Sequence, residues 1–488
     1  MTPHQLLTSI LRTEFWAFFR ASFEFLEPGG SLVQNWHLEV ICDALSKCEE
    51  GHSTRLLMAL PPRSLKSLIT SVIFPVWALG RNQNLQIIAV SYSEPLATTF
   101  GRMRRKLIES GLFRDTFPET AAAMVRVTDT EIETVTGGSI FTTSVGGTLT
   151  GRGADMMIID DPLKAEAAAS EKERSFVNRW YRGTAYSRLN HKTESVMIIV
   201  AQRTHADDLI GHVAEHDEWD ELVLPAIAPE DLEFAYGSKT FVWHEGSTLN
   251  PAYESLESLA KTSRTLGSVA FQSQYLQDPQ PAGGMVVKRE WFQVYDPAAV
   301  RQMTFDEIVM SIDPAISGSA ASDYTACTVW GALNNHYYLL HVWRGRLPYP
   351  DLLRQIQSLA DVHAPTIILI EAAGGGQQIV QSLSAETALP VVPVKPEGDK
   401  ESRLIGVSAL IEGGRVLVPP DAPWLADYLA ELCSFPNAKF DDQVDSTSQA
   451  LDRLRQPKNR LPEFRLVSIQ SSWIKHQDEP RRLFKYLP

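Results

Sequence analysis

RLLMALPPRSLKSLIT, Arg55–Thr70, decides how the first half of the chain is read. An apolar run, Leu56 to Leu60, gives way to two prolines and a short polar turn. Lys66 and Ser67 follow, and the apolar pattern then resumes. Strand, turn, Lys-Ser and helix is the layout of a phosphate-binding P-loop. Such a loop lays backbone N–H groups and a helix N-terminus under phosphates; the lysine reaches the terminal phosphates and the hydroxyl ligates Mg²⁺. Arg63, Ser64, Leu65, Lys66 and Ser67 are therefore expected to hold ATP and Mg²⁺. The usual pattern G-x-x-x-x-G-K-[ST] carries two glycines, and here Leu60 and Leu65 stand in their places. Alone, the loop reads equally as an ordinary strand–helix turn. Arg63, inside the loop, either swings onto a γ-phosphate in cis or faces solvent.

Three further clusters favour the nucleotide reading. Ala154–Pro162, ADMMIIDDP, is an apolar strand ending in two carboxylates, the layout of a Walker B strand. Asp160 is expected to order the Mg²⁺ shell and Asp161 to polarise the attacking water, a role more often given to Glu. Ser195–Ala201, SVMIIVA, is another buried strand, ending at Gln202-Arg203-Thr204-His205, and Gln202 is expected to sense the γ-phosphate. Ligands of open α/β sheets sit at the carboxyl ends of strands, where all three clusters fall. Gln34, upstream with Trp36, is expected to hold the adenine by amide pairing and stacking; the competing reading is a helix start with a buried Trp. Residues 1–30 are expected to be helical, with a packing stripe of aromatics ended by Pro28-Gly29-Gly30. Arg102, Arg104, Arg105 and Lys106 suit either a DNA backbone or a solvated helix face. A helix is expected over Glu166–Arg188.

The totals narrow the function classes. With 488 residues, two or three domains are expected. A net charge of −14 confines any DNA contact to local patches. The four cysteines are scattered without a CxxC pair, which argues against a zinc site or disulfide framework and fits a reducing cytosol. No apolar run has the length of a membrane span and no secretory signal is visible, so a soluble intracellular protein is expected.

Pro279–Gly284, PQPAGG, has linker composition, and a new pattern follows it. Glu307–Ile312 is a strand ending at Asp313. Tyr324–Leu333 and His336–Arg344 alternate around Asn334-Asn335, a hairpin signal. A helix at Tyr349–His363 leads to the strand Thr366–Ile370, ending at Glu371. Another helix, the strand Pro390–Val394, a helix near Glu401–Glu412 and the cluster Asp441-Asp442-Gln443-Val444-Asp445 complete the order. This is a ribonuclease H-like order, in which acids at the first strand, the fourth strand and a late helix meet around two metal ions. Asp313, Glu371 and the Asp442/Asp445 pair occupy those places, and oxygen ligands suit Mg²⁺ or Mn²⁺. Asp442 is taken as the catalytic acid of its cluster, with Asp445 on the same helix face; the pattern does not separate them from Asp441. Asp323 is a weaker addition.

With both halves on the page, the chain resembles the large terminase subunit of tailed bacteriophages over roughly residues 30–455. The stretches that carry the resemblance are Pro61–Ser67 (PPRSLKS), Thr143–Asp155 (TSVGGTLTGRGAD), Ile158–Pro162 (IIDDP), Gln202–Leu209 (QRTHADDL), Ser322–Gly331 (SDYTACTVWG), Val394–Lys400 (VKPEGDK) and Phe440–Ser446 (FDDQVDS). The resemblance implies an α/β protein with an N-terminal P-loop (ASCE-type) ATPase domain and a C-terminal RNase H-like nuclease domain. The expected divisions are 1–30, a helical segment; 31–277, the ATPase; 278–300, a linker; 301–465, the nuclease; and 466–488, a tail with Lys475, Arg481, Arg482 and Lys485. It further implies ATP-driven packaging of double-stranded DNA, a portal protein and a small terminase subunit as partners, and a homo-oligomeric ring. The site of action would be the host cytoplasm, transiently at the procapsid portal vertex, with no membrane. The competing readings are a helicase–nuclease of repair or defence, a transposase or integrase, and a non-catalytic scaffold.

Overall fold

The computed structural model describes residues 2–279, 286–315, 324–373, 375–396, 398–438 and 440–456. Asp323, residues 280–285 of the expected linker and the tail 466–488 lie outside the described residues. No described helix is long and apolar enough to cross a membrane.

The first half is built on an eight-stranded sheet. Its strands are β1 (Arg55–Ala59), β2 (Gln86–Ser91), β3 (Met124–Val127), β4 (Glu131–Thr134), β5 (Ser139–Ser144), β6 (Met156–Asp160), β7 (Val196–Ala201) and β8 (Asp220–Val223), in the spatial order β3-β4-β5-β2-β6-β7-β1-β8. From β5 to β8 every pair is parallel. Sequences such as MMIID and VMIIVA are apolar at consecutive positions because helices cover both faces of a parallel sheet. The register then aligns the strand ends. Asp160 pairs with Val200 and with Ser91, and Ala59 with Ala201. Loops leaving β1, β6 and β7 therefore emerge side by side. β3, short and with exposed positions, and β4, short and mostly buried, extend the edge antiparallel; the sequence reading placed no strand at β3.

The aromatic stripe near the N-terminus is indeed a packing face. Two helices, Pro3–Thr13 and Phe15–Leu26, replace the single expected one, breaking at the extended Glu14. Phe15 meets Phe74 and Trp77 at 5.3 and 5.1 Å between rings, so these helices share the core behind the phosphate loop. The expected helix over Glu166–Arg188 is also broken. Ser170 caps a helix at Glu171–Trp180, and a π-helical turn containing Gly183 follows at Tyr181–Ala185. Glycine weakens a regular helix interior, and the wider turn forms there.

A hairpin, β9 (Leu232–Tyr236) and β10 (Lys239–Trp243), precedes the second half. That half is a seven-stranded sheet of β11 (Gln293–Val294), β12 (Glu307–Asp313), β13 (Thr325–Leu333), β14 (His336–Gly345), β15 (Ile367–Glu371), β16 (Val391–Val394) and β17 (Val416–Val418), ordered β11-β17-β14-β13-β12-β15-β16. The β13–β14 turn takes φ of 50° at Asn334 and 62° at Asn335, a two-residue left-handed turn that asparagine tolerates. β12 and β15 are parallel, with Ile312 beside Ile370, which sets Asp313 and Glu371 at one edge.

The helix Asp442–Arg455 packs across β12 and β13 through a polar clamp. Ser446 is fully buried; its hydroxyl donates to the Ser311 carbonyl at 2.8 Å and accepts from the Thr328 N–H at 3.1 Å. A small side chain lets the helix lie close to the strands, and its two bonds fix the rotation that aims Asp445 at the sheet edge. Ser446→Ala leaves two buried backbone groups without that partner. We expect it to destabilise the second sheet by about 1–3 kcal/mol, read as faster amide hydrogen exchange in β13.

Candidate functional site

The loop after β1 adopts the phosphate-loop shape without its glycines. Arg63 and Leu65 both take left-handed conformations, with φ of 61° and 63°. Leu65 thus fulfils a glycine's role with a β-carbon attached, at a local cost of order 1–2 kcal/mol. Backbone of this shape presents successive N–H groups to one side. Lys66, 6% exposed, points its Nζ to within 3.5 Å of Asp161 Oδ2. The Ser67 hydroxyl donates to Asp160 Oδ1 at 3.0 Å. Beyond it the chain winds as a π-helix, Leu68–Ile73, before the α-helix Phe74–Arg81.

Asp160 ends β6 fully enclosed. Burial and the neighbouring Asp161 charge push its carboxyl up to about 7, against the pulls of the nearby Ser71 hydroxyl and then Lys66. Its Oδ2 is buried without a hydrogen-bond donor, as is the Ser64 hydroxyl in the loop. A buried carboxylate oxygen lacking a donor, beside Ser67, fits a hard divalent cation. Asp161, at φ 42°, turns away from the strand, and its Oδ1 accepts the Gln202 N–H at 3.1 Å. The structure therefore brings Lys66, Ser67, Asp160, Asp161 and Gln202 together. Asp208 gathers the loop after β7, accepting from Arg203 Nε at 3.1 Å, Thr204 N at 2.9 Å and Gly211 N at 2.9 Å. Arg203 N–H also donates to Gln277 at 2.9 Å, just before residues 280–285.

A cavity of about 580 Å³ opens over this loop. Its wall carries Arg63, Lys66, Asp161 and Gln202 together with Leu32, Val33, His37 and Tyr253. Gln34 is exposed and is not on that wall, and the Trp36 ring is stacked on Phe241 at 4.6 Å and packed by Phe234 and Trp243. The amide-and-aromatic pair expected to hold adenine is thus not offered there, because β9 and β10 claim the indole for packing. The reading missed His37, 2% exposed, which burial pushes down to about 4 despite a hydrogen bond from its ring to the Ser64 backbone carbonyl. Tyr253 was also missed, since nothing in sequence marks a loop tyrosine so distant from the phosphate loop.

The cationic run on the helix Glu94–Ile108 does not form a DNA stripe. Arg104 is 1% exposed, bonded to the Ser71 carbonyl and, at 2.6 Å, to Thr142 Oγ1. Arg102 and Arg105 pair with Asp129, and Lys106 lies over the Phe25 ring. Three of the four are therefore tied into the fold by acids or carbonyls, and the fourth covers an aromatic face.

In the second half, Asp313, Glu371 and Asp445 converge, offering one oxygen each within 4.8 Å of one another. Burial, then Asp445 and Glu371, push the Asp313 carboxyl up to about 8. Burial also raises Glu371, against the Arg403 charge. Three oxygen donors of this kind fit Mg²⁺ or Mn²⁺. Of the expected Asp442/Asp445 pair, it is Asp445 that falls within this trio. Asp442 is 5% exposed and near enough to be felt by Asp313, yet it stands one helical turn before Asp445 and outside the convergent trio. Asp441 pairs with Lys400 at 2.6 Å. Burial works against the Lys400 charge, but hydrogen bonds to Asp441 and Asp445 outweigh it and hold the ammonium above the usual lysine range. Lys400 closes the Val394–Lys400 stretch that carries the resemblance, whereas Arg403 carried no signal in sequence beyond lying on a helix.

Residues 310–454 match the family model of the terminase RNase H-like domain. No curated protein matches the chain. Among solved structures, the large terminase of a thermophilic bacteriophage in complex with ADP is 12% identical, covering 85% of this chain and 98% of that one at a TM-score of 0.52. The large terminase of bacteriophage HK97 is 13% identical, with 93% and 100% coverage and a TM-score of 0.37. The magnesium-bound large terminase nuclease of the thermophilic phage G20c is 19% identical, covering 36% and 99% at a TM-score of 0.27. The likeness to the ADP-bound protein shows the fold: a large-terminase architecture with an RNase H-like second half, in agreement with the resemblance read from the motifs.

Two outcomes follow from this geometry. Arg63→Gly relieves a left-handed residue whose side chain is exposed, so thermal stability should rise by about 1 kcal/mol while ATP turnover falls; a scanning unfolding measurement beside an ATPase assay checks both. For Asp313, the folded carboxyl titrates near 8 against an ordinary 3.8. The folded state binds the proton more tightly, so metal-free stability falls as pH rises across that window. Asp313→Asn should flatten the decline of the unfolding temperature between pH 6 and 8.5, and Mn²⁺ should stabilise wild type more at the higher pH.

Proposed function

We propose that the chain is the large terminase subunit of a tailed phage or prophage, a motor that moves double-stranded DNA through a portal into a procapsid and a nuclease that cuts concatemeric DNA. The observation that carries this reading is the pairing, in one chain, of a phosphate-loop cavity with a buried three-carboxylate cluster on an RNase H-like sheet. Divisions near 1–30, 31–277, 278–300, 301–465 and 466–488 are part of the proposal. So are a small terminase subunit as partner, a ring of copies, and the host cytoplasm as the place of action.

In the first site, Lys66 would exchange Asp161 for the terminal phosphates, freeing that carboxylate to take a proton from the attacking water. The Gln202 N–H holds Asp161 Oδ1 in place for that task. Ser67 and Asp160 would hold Mg²⁺, which when bound neutralises phosphate charge. Arg63, on the cavity wall, is placed to steady charge that develops at the γ-phosphate. The ADP complex of the thermophilic phage's large terminase supports a nucleotide in this cavity. The Arg203–Gln277 bond offers a route from this strand end toward the second half. In the second site Asp313, Glu371 and Asp445 would hold divalent ions, which supply an activated water and a steadied leaving oxygen for phosphodiester cleavage. The clamp at Ser446 keeps Asp445 aimed at the other two acids.

The two sites should separate by mutation. Lys66→Ala is expected to abolish ATP hydrolysis and packaging into procapsids while leaving Mn²⁺-dependent plasmid nicking intact. Asp313→Ala, Glu371→Ala and Asp445→Ala should each remove nicking and spare ATPase, with Asp442→Ala the milder change. A wild-type chain that neither hydrolyses ATP nor nicks DNA with any divalent metal would sink the proposal. ATP-dependent strand separation without packaging would favour a helicase–nuclease instead.

A further inference from the structure

Both oxygens of Asp445 are already engaged by cations. Lys400 Nζ lies 2.6 Å from Oδ2, and Arg403 Nη2 donates to Oδ1 while standing 3.8 Å from Glu371 Oε2. Asp445 is 3% exposed, so these side chains, rather than bulk water, balance its charge. Asp313, by contrast, has no cation within ion-pair distance among the described residues. A dication drawn to the three acids would come close to the Arg403 guanidinium, which reaches two of them. Like charges at such range repel strongly where solvent is scarce. A metal ion therefore competes with these two side chains for the acids.

Lys400 and Arg403 are one helical turn apart on the helix Lys400–Glu412, and the far end of that helix is held by the first half. Glu412 Oε2 accepts the Ser268 N–H at 2.7 Å, at the start of the helix Ser268–Gln274. Gly267, at φ 84°, passes close to Ala409; a β-carbon on it would lie 3.2 Å from the Ala409 methyl. One rigid element thus touches the ATPase half at one end and the nuclease acids at the other.

We propose, resting on the nuclease reading above, that the helix Lys400–Glu412 is a latch on the metal site. Lys400 and Arg403 are positioning residues: they hold the acids together in the metal-free chain and compete with the divalent ion for Asp445 and Glu371. Docking of Glu412 on Ser268 sets how firmly they hold. Movement of the first half against this helix would then change metal affinity, and with it the readiness to cut, without any change in the acids themselves.

The test is Mn²⁺ binding to the full-length chain, with free Mn²⁺ read by electron paramagnetic resonance. Arg403→Met and Lys400→Met, which keep the side-chain bulk and remove the charge, should each bind Mn²⁺ about tenfold tighter than wild type. Glu412→Ala should move affinity in the same direction by a smaller factor. The latch is overturned if both methionine variants bind Mn²⁺ as wild type does, or more weakly. An unchanged affinity in Glu412→Ala overturns the control by the first half. If Arg403→Met does not fold, Lys400→Met carries the decision, since the Lys400 side chain is 39% exposed and little packing is lost. Wild type that binds no Mn²⁺ at millimolar concentration refutes the two-metal reading itself, a result separate from failure of the latch.

Discussion

The parallel pairing of strands that are apolar along their whole length is the constraint on which both halves depend. A strand buried on two faces has nowhere to place a charge except at its ends, where backbone and side chains meet loops and solvent. In the first half that forces Asp160, Asp161 and Gln202 to the same edge as the loop after β1. In the second it sets Asp313 beside Glu371. The chemistry-bearing residues are therefore neighbours because the hydrophobic interior excludes them from everywhere else along the strands.

Gathering acids at buried edges creates a second demand. Asp160 and Asp313 both have carboxyls pushed far above their ordinary range, chiefly by burial and then by adjacent acids. The fold answers with cations set nearby. Lys66 faces Asp161, Arg104 is locked behind the π-helix within electrostatic reach of Asp160, and Lys400 and Arg403 grip Asp445. These pairs set a cation beside each buried cluster of acids. The left-handed Arg63 and Leu65 add strain at the same place. Strain and uncompensated charge both concentrate where ligands are expected, consistent with sites held ready at the expense of local stability.

The elements that carried strong local signals were legible. Apolar runs ending in acids placed β6, β12 and β15 within a residue or two, and Asn334-Asn335 specified its turn. The P-loop was read from Lys66-Ser67 despite Leu65, because its neighbours in sequence had the right order. The failures share a cause. Gln34 and Trp36 looked like an adenine clamp until β9 and β10, two hundred residues on, covered the indole. Arg104 looked like part of a basic face until burial beneath β5 and the π-helix took it out of solvent. Asp442 and Asp445 were not separated because spacing alone puts both on one helix face, and the rotation of that helix is set by its docking through Ser446, Gln449 and Thr447.

What the sequence determined by itself is the order of elements and the kind of chemistry at their ends, because periodicity and strand-end polarity are local properties of the chain. It was enough to separate an ATPase-like sheet from a ribonuclease H-like one and to name Lys66, Ser67, Asp160, Asp161, Asp313 and Glu371. Tertiary structure alone decided which distant side chains complete each site. His37 and Tyr253 line the cavity over the phosphate loop, and Lys400 and Arg403 pair with Asp445. Those assignments depend on how helices are rotated and docked against the sheets. That is set by side-chain packing between segments hundreds of residues apart, which no local pattern encodes.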